Sequence, residues 1–425
     1  MDYSSALEYL DSFKVGGIRP RLGHTRFILE RLGFRQDFKV VHVAGSKGKG
    51  SVCAFVNSVL CEADFRTGLY TSPPLQDFVE RISVNKVFIG EADVAKLVSE
   101  VEPVVNEMSE SELGLPTHFE VVTALALRYF QLKGVEYAVL EVGLGGRLDA
   151  TNVVDSVVSV VTNIEFEHTQ FLGNTVEQIT REKAGIIKPN TVCVTASEDN
   201  AVLNILKEIC RERKTRLLLV GQDIKYKATN SNPLEQEFNV SGNLNYQNLK
   251  ITLPGEHQIR NAVTAIAALN EAVKVPEGKL RSGLAKTRWP GRMETVSEKP
   301  LILLDGAHTI KGVEALKQAL KEYKYEKLHL VLGVSKDKPM AEITRRLAPM
   351  AHEVIATKAA VENAGDPSII FNEASKHTQS AVIGDVKKAV ERAASNSGPG
   401  DLILITGSLY VVGEARKIWH DKVEL

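Results

Sequence analysis

The sequence predicts an α/β protein with largely parallel sheets. Three observations carry this: short apolar, β-rich runs alternate with helical patterns along most of the chain; the first such run feeds a glycine-rich turn and a helix; and the alternation restarts after a break at Arg288–Arg292. Strands are expected at 38–43, 67–71, 136–142, 157–162, 191–195 and 216–220. Helical patterns lie between them near 49–62, 92–108, 118–133, 175–187 and 199–211. From Asp223 to Pro254 the chain turns polar, Asn-rich and alternating, which predicts a small antiparallel β element beside the main sheet. An Ala-rich helix is expected near 257–273. After the sequence RWPGR a second alternation begins, with strands near 301–305, 328–332, 352–356 and 402–406 and helices between. Two domains follow: 1–295, built around a phosphate-binding turn, and 296–425, a Rossmann-like α/β unit.

Composition narrows the class. The 425 residues are 44% apolar and 25% charged, ordinary for a globular protein with room for two cores. Lys+Arg 52 against Asp+Glu 53 leaves no global field favouring nucleic acid or an anionic membrane. Cys53, Cys61, Cys193 and Cys210 show no CxxC spacing, so free thiols in a reducing cytoplasm are expected rather than disulfides or a structural zinc. The N-terminal residues MDYSSALEYL carry no secretory pattern, and no apolar window is long enough to span a bilayer.

The most informative segment is HVAGSKGKGS, His42 to Ser51, just after the apolar Phe38-Lys39-Val40-Val41. Strand, glycine-rich turn and helix in that order cradle nucleotide phosphates. Gly45, Gly48 and Gly50 let backbone N–H groups point inward, Lys49 reaches the β/γ-phosphates, and the Ser51 hydroxyl suits Mg²⁺. Only Ser46 and Lys47 separate Gly45 from Gly48, a shorter loop than the usual one and one found in a group of ATP-dependent ligases.

Further along, the strand of VEYAVLEVGLGGRLDATN (Val135 to Asn152) ends in Glu141, where an acid beside a phosphate loop serves as a Mg²⁺ ligand. Gly143, Gly145 and Gly146 have G-x-G-G spacing with no helix directly behind them, which argues against a dinucleotide fingerprint. His168 lies just past another strand, flanked by Glu165 and Glu167. Lys183 follows fifteen residues later in REKAGIIKP. Taken singly, these two read as an ordinary loop histidine and a solvated helix charge.

Ten segments in order make the pattern specific: HVAGSKGKGS, TSPPL at 71–75, THFEVVTALAL at 117–127, EVGLGGRLDATN at 141–152, EHTQFLG at 167–173, REKAGIIKP at 181–189, GEHQIRNA at 255–262, RWPGRME at 288–294, LDGAH at 304–308 and ITGSLY at 405–410. In this order they resemble the folylpolyglutamate synthase/dihydrofolate synthase family, relatives of the Mur peptidoglycan ligases, over nearly the whole chain. The resemblance implies a ligase that uses ATP to phosphorylate a terminal carboxylate and then lets the amine of L-glutamate displace phosphate. It implies two Mg²⁺ ions, one held by Ser51, Ser72 and Glu141, the other by His168 and a carbamylated Lys183. By the same resemblance Asn261, Arg292 and Asp305 join the loop around ATP, while Lys47, a cation the family pattern lacks, either adds a phosphate contact or faces solvent. His308 and Ser408 receive glutamate, and Thr117, Phe119, Glu120, Leu148, Asp149 and Ala150 line a pteroate pocket. There Phe119 would stack on the pterin and Asp149 would accept hydrogen bonds from its ring nitrogens. Lys49, Lys183, His168 and His308 are the expected catalytic set. Folate or dihydropteroate and L-glutamate are the expected small-molecule partners, without nucleic acid or membrane, and the protein is expected to be a cytoplasmic monomer.

The chain departs from the family pattern at three places: Ser46-Lys47 replaces the usual Thr-Asn, Pro74 a common His, and Thr309 the Asn after Asp-Gly-Ala-His. A Mur-like ligase acting on another carboxylate is the alternative, and the short segment before the loop speaks against a typical Mur ligase. A P-loop switch or motor would explain 42–51 but would not need His168, Lys183 or LDGAH.

Overall fold

A computed structural model describes all residues except 17–20 and 421. Two short helices, α1 (Tyr3–Ser12) and α2 (Gly23–Arg31), precede the first strand, β1 (Lys39–Ala44). The loop then enters α3 (Lys49–Glu62), in which every residue from Ser51 to Leu60 is buried. Next come β2 (Thr67–Tyr70), a hairpin of β3 (Ile82–Val84) and β4 (Val87–Phe88), α4 (Glu91–Ser109), α5 (His118–Leu132) and β5 (Tyr137–Glu141). After these follow β6 (Val158–Val161), α6 (Thr169–Leu172), α7 (Val176–Lys183), β7 (Val192–Thr195), α8 (Asn200–Glu212) and β8 (Arg216–Leu219).

These strands form one eight-stranded sheet in the order β4-β3-β2-β5-β1-β6-β7-β8, parallel except for the β3/β4 hairpin at one edge. Its middle strands β5, β1 and β6 are buried at every residue but Lys39 because helices cover both faces. β9 (Ile224–Ser231), β10 (Gln236–Gly242) and β11 (Tyr246–Ile251) form the expected antiparallel element, and α9 (Glu256–Ala272) returns along α3. Its small residues Ala262, Ala265, Ala267 and Ala268 are buried in the core that α3 shares. α10 (Glu277–Ala285) also packs on α3, where a Cβ at Gly283 would stand 2.5 Å from Val59 Cα.

The second sheet runs β12-β13-β17-β14-β15-β16. It comprises β12 (Glu294–Glu298), β13 (Leu301–Asp305), β14 (Leu328–Leu332), β15 (Glu353–Ala356), β16 (Gln379–Val382) and β17 (Leu402–Thr406). Only β12 is antiparallel. The helices α11 (Ile310–Leu320), α12 (Met340–Leu347), α13 (Pro367–Ala374), α14 (Val386–Asn396) and α15 (Leu409–Arg416) supply its two covering cores.

The expected strands and longer helices are present. The sequence reading lacked α1, α2, α6, α10, the β3/β4 hairpin, β12 and β16. Most are short, polar or edge elements, which carry little periodic signal. The four cysteines are free thiols. No helix among the described residues is long and apolar enough to cross a membrane.

Candidate functional site

Both sheets turn their carboxyl ends toward one cleft. In the first, β5, β1 and β6 lie side by side, with Val43 level with Glu141 and Ala44 level with Val161. The phosphate loop therefore sits between the Glu141 strand end and the loop bearing Glu165, Glu167 and His168. In the second, β13 and β17 are neighbours, with Asp305 level with Thr406, so His308 and Ser408 share one edge of the cleft.

Local chemistry fixes the loop. Gly48 caps α3 at φ 83°, a left-handed backbone that glycine enters at little cost, and a Cβ there would stand 2.5 Å from Asn261 Oδ1. Gly45 leaves no room for a Cβ beside Thr162 Oγ1. Asn163 Oδ1 accepts from the Lys47 N–H at 2.7 Å, which ties the loop to the segment after β6. The loop opens a 14-residue helix whose dipole favours anions at this end.

Charges converge on the loop. Lys49 Nζ lies 3.9 Å from Glu141 Oε1, while the Ser72 N–H donates to Glu141 Oε2 at 3.2 Å. Burial pushes the Glu141 carboxyl up, and Lys49 pulls the other way. Arg292 adds to that pull on Glu141 and acts likewise on Asp305, whose carboxylate accepts from Met293 N and Ala307 N. Ser408 caps α15 and is buried. Lys183, only 3% exposed, donates to Glu167 Oε1 at 2.9 Å and to the Gly45 carbonyl at 3.0 Å. Burial alone would raise Glu167, but Lys183, Lys49 and Lys47 hold it down at about 2. His168 is exposed at the head of α6, with φ 49°.

Oxygen donors beside the loop fit a magnesium ion. Ser51 and Glu141 offer one hydroxyl and one carboxylate, and Mg²⁺ binds through one or two protein oxygens plus phosphates and water. No cluster of three His, Cys, Asp or Glu side chains that could hold a metal ion occurs among the described residues. The second set does not fit as it stands, since Lys183 here is a protonated donor and an ammonium cannot ligate a metal.

The remaining residues lie at the head of α5 and in the turn after β5. Thr117 caps α5, and Glu120 returns the bond to the Thr117 N–H; Glu120 also meets His24 Nδ1 at 3.0 Å. Glu120 is thus engaged in the helix cap. Phe119 is half-buried, its ring 5.9 Å from that of Tyr70 and 5.7 Å from the Arg81 guanidinium. Leu148 is half-buried and Ala150 buried. Asp149 differs from the expected free acceptor. It is 3% exposed, and its carboxylate accepts from Leu144 N, Thr151 N and Thr151 Oγ1. Most of its acceptor capacity is spent on the loop that carries it.

Three residues of the cleft were not singled out from sequence. Glu167 pairs with Lys183; Asn163 holds the loop; and Trp289 lies so close to Gly50 that a Cβ there would meet its ring at 2.9 Å. Trp289, Ser72, Glu141 and Arg292 line a narrow cleft between the two sheets.

A phosphate loop on one parallel sheet, faced by the strand ends of a second α/β sheet, defines a two-part nucleotide-dependent enzyme of the Mur ligase type. The Mur ligase middle domain matches residues 43–269, and the Mur ligase glutamate ligase domain matches 291–409. A dihydrofolate synthase/folylpolyglutamate synthase of Bacillus subtilis is 35% identical over 426 residues, covering 98% of each chain. The folylpolyglutamate synthase of Thermotoga maritima superposes with a TM-score of 0.87 at 35% identity, covering 98% of this chain and 96% of that one. Escherichia coli FolC in complex with DHPP and ADP gives 0.89 at 29% identity, covering 98% and 97%. The chain belongs to the folylpolyglutamate/dihydrofolate synthase family, the ATP-dependent ligases of the Mur type.

Proposed function

We propose that this chain joins L-glutamate to folates, extending tetrahydrofolate polyglutamates and accepting dihydropteroate as a second acceptor, through an acyl phosphate. The observation that carries the reading is the convergence of the phosphate loop, Glu141 and the Asp305–His308 segment on one cleft. Residues 1–295 form the ATP-binding part and 296–425 the glutamate-accepting part.

The reaction concentrates negative charge twice, so positioned cations supply most of the catalysis. Lys49, Lys47 and the α3 N-terminus draw the β- and γ-phosphates of ATP, with Gly45, Gly48 and Gly50 clearing the approach. Asn261, Arg292 and Asp305 flank the nucleotide. Ser51, Ser72 and Glu141 hold one Mg²⁺, which supplies charge neutralisation at the phosphates. The acceptor carboxylate attacks the γ-phosphorus and ADP departs. The glutamate amine, held near His308 and Ser408, then attacks the acyl carbon and expels inorganic phosphate. Phe119 presents a face for the pterin, with Thr117, Leu148 and Ala150 around it and Asp149 shaping the pocket wall.

Lys183 becomes an oxygen ligand for a second Mg²⁺, with His168, only as a carbamate. Carbamylation would set a second anion beside Glu167, an arrangement that a divalent cation stabilises and an empty site does not. The protein works as a cytoplasmic monomer; its four free thiols suit a reducing compartment.

The test is phosphate release with ATP when tetrahydrofolate, dihydropteroate and L-glutamate are each added and omitted. Release that needs an acceptor together with glutamate supports the reading. Release indifferent to every folate and pteroate overturns the substrate assignment.

A further inference from the structure

Lys47 and His308 are 261 residues apart, yet they meet across the cleft: Lys47 Nζ lies 3.3 Å from His308 Nε2. The geometry assigns the protons. His308 Nδ1 lies 2.7 Å from the Gly306 carbonyl, which only accepts, so Nδ1 carries a hydrogen. Lys47 has only donors, so His308 Nε2 must accept from it with its one lone pair. The ring is therefore neutral, and its free edge is capped by a lysine ammonium. Glu167 Oε2, at 3.8 Å, lies on another side of that ammonium. Lys311, whose Nζ is 3.9 Å from Glu165 Oε1, makes a second bridge across the cleft, from the start of α11 to the loop after β6.

A glutamate amine enters as an ammonium, the same chemical group as the tip of Lys47. Two ammonium groups cannot share one lone pair, and like charges at that separation repel. A phosphate anion at the loop offers Lys47 a stronger partner than a neutral imidazole, because it adds the attraction of opposite charges to the hydrogen bond.

We propose that Lys47 is a placeholder for the incoming amine: it caps His308 Nε2 while the loop is empty, and phosphate at the loop draws it away and opens that position to glutamate. This rests on the glutamate-receiving role given to His308 above. It makes nucleotide binding and glutamate binding positively coupled through one side chain. Burial, with Lys47, Arg292 and Lys338 adding to it, pushes the His308 pKa down to about 3, in keeping with the neutral ring that its hydrogen bonds require.

The test is calorimetric titration of L-glutamate into the full chain, with and without saturating AMPPCP and Mg²⁺, for the unmodified protein, Lys47→Asn and Lys47→Gln. In parallel, ¹⁵N shifts of His308 are followed on adding ADP and Mg²⁺, with His308→Gln used to assign the resonance. For the unmodified protein, nucleotide should tighten glutamate at least ~10-fold, within the range of ordinary site-to-site coupling, and should move the Nε2 shift. Both variants should bind glutamate with nearly the same affinity whether or not nucleotide is present. Variants that bind nucleotide and keep the full coupling overturn the inference, as does an Nε2 shift indifferent to ADP in protein that binds it; the ligase reading survives either result. Failure of the unmodified protein to bind nucleotide at all overturns both.

Discussion

Lys49 Nζ stands 3.9 Å from Glu141 Oε1, a cation at the head of α3 facing an acid at the end of the adjacent strand β5. The two attract without a hydrogen bond, so Lys49 keeps its donors and Glu141 Oε1 its lone pairs for an incoming phosphate or metal, while Glu141 Oε2 accepts from the Ser72 N–H. The fold sets this spacing, because β1 and β5 are neighbours in register.

Lys49→Ala removes the cation and should lower turnover at least ~100-fold, as loss of one strong electrostatic stabiliser commonly does, with the thermal midpoint little changed. Steady-state kinetics and a melting curve check both parts. A well-folded variant with near-normal ligase activity would remove the loop from the mechanism.

Lys183→Ala should abolish activity, with partial recovery in added acetate. The protein prepared with bicarbonate and Mg²⁺ should carry ¹³C-carbamate signal that the variant lacks. Magic-angle or solution ¹³C NMR after ¹³C-bicarbonate exchange measures this directly. Full activity with no such signal would leave Lys183 as the partner of Glu167 and nothing more.

Asp149→Ala should do two things, because its carboxylate organises its own loop. Leaving Leu144 N and Thr151 N without an acceptor should cost about 1–3 kcal/mol each. Dihydropteroate use should also fall more than polyglutamate extension. Asp149→Asn, which keeps the shape, should recover much of the stability. Equal losses in the two reactions would defeat the idea that the acceptors dock differently.

Acid should destabilise the protein through His42. This side chain is fully buried on β1, with Nε2 2.8 Å from Thr151 Oγ1, and burial, reinforced by Lys188, pushes its pKa down to about 3. The unfolded chain binds its proton near 6.5, so the stabilisation is complete above that pH and is lost progressively as pH falls toward 3. From pH 7.5 to 5 this one group should cost roughly 2 kcal/mol, at 1.36 kcal/mol per unit. Urea midpoints at the two pH values, for the unmodified protein and His42→Gln, measure it. An identical pH loss in the variant would place the sensitivity elsewhere.

What the sequence revealed and what it hid divide along one physical line. The phosphate loop is local: Gly45, Gly48, Lys49 and Ser51 lie within seven positions of one another, and their spacing carries the chemistry. Glu141 was legible because a parallel strand places its last residue at a shared sheet edge. Partnerships formed by tertiary packing were not. Glu167 gave no sign that it would pair with Lys183, because nothing in a sequence records which helix a loop acid will meet. Trp289 against Gly50 and Lys47 against His308 depend on how the second sheet docks. Asp149 was assigned to the pterin by resemblance alone, and the turn it sits in takes most of its lone pairs.

Transfer of oxygen from the acceptor's carboxylate tests the central claim most directly. Tetrahydrofolate or dihydropteroate labelled with ¹⁸O in the reacting carboxyl is turned over with ATP, Mg²⁺ and L-glutamate, and the released inorganic phosphate is analysed by mass spectrometry. An acyl phosphate places one labelled oxygen in each phosphate released per amide formed, and that is the predicted result. Unlabelled phosphate accompanying amide formation would contradict the account.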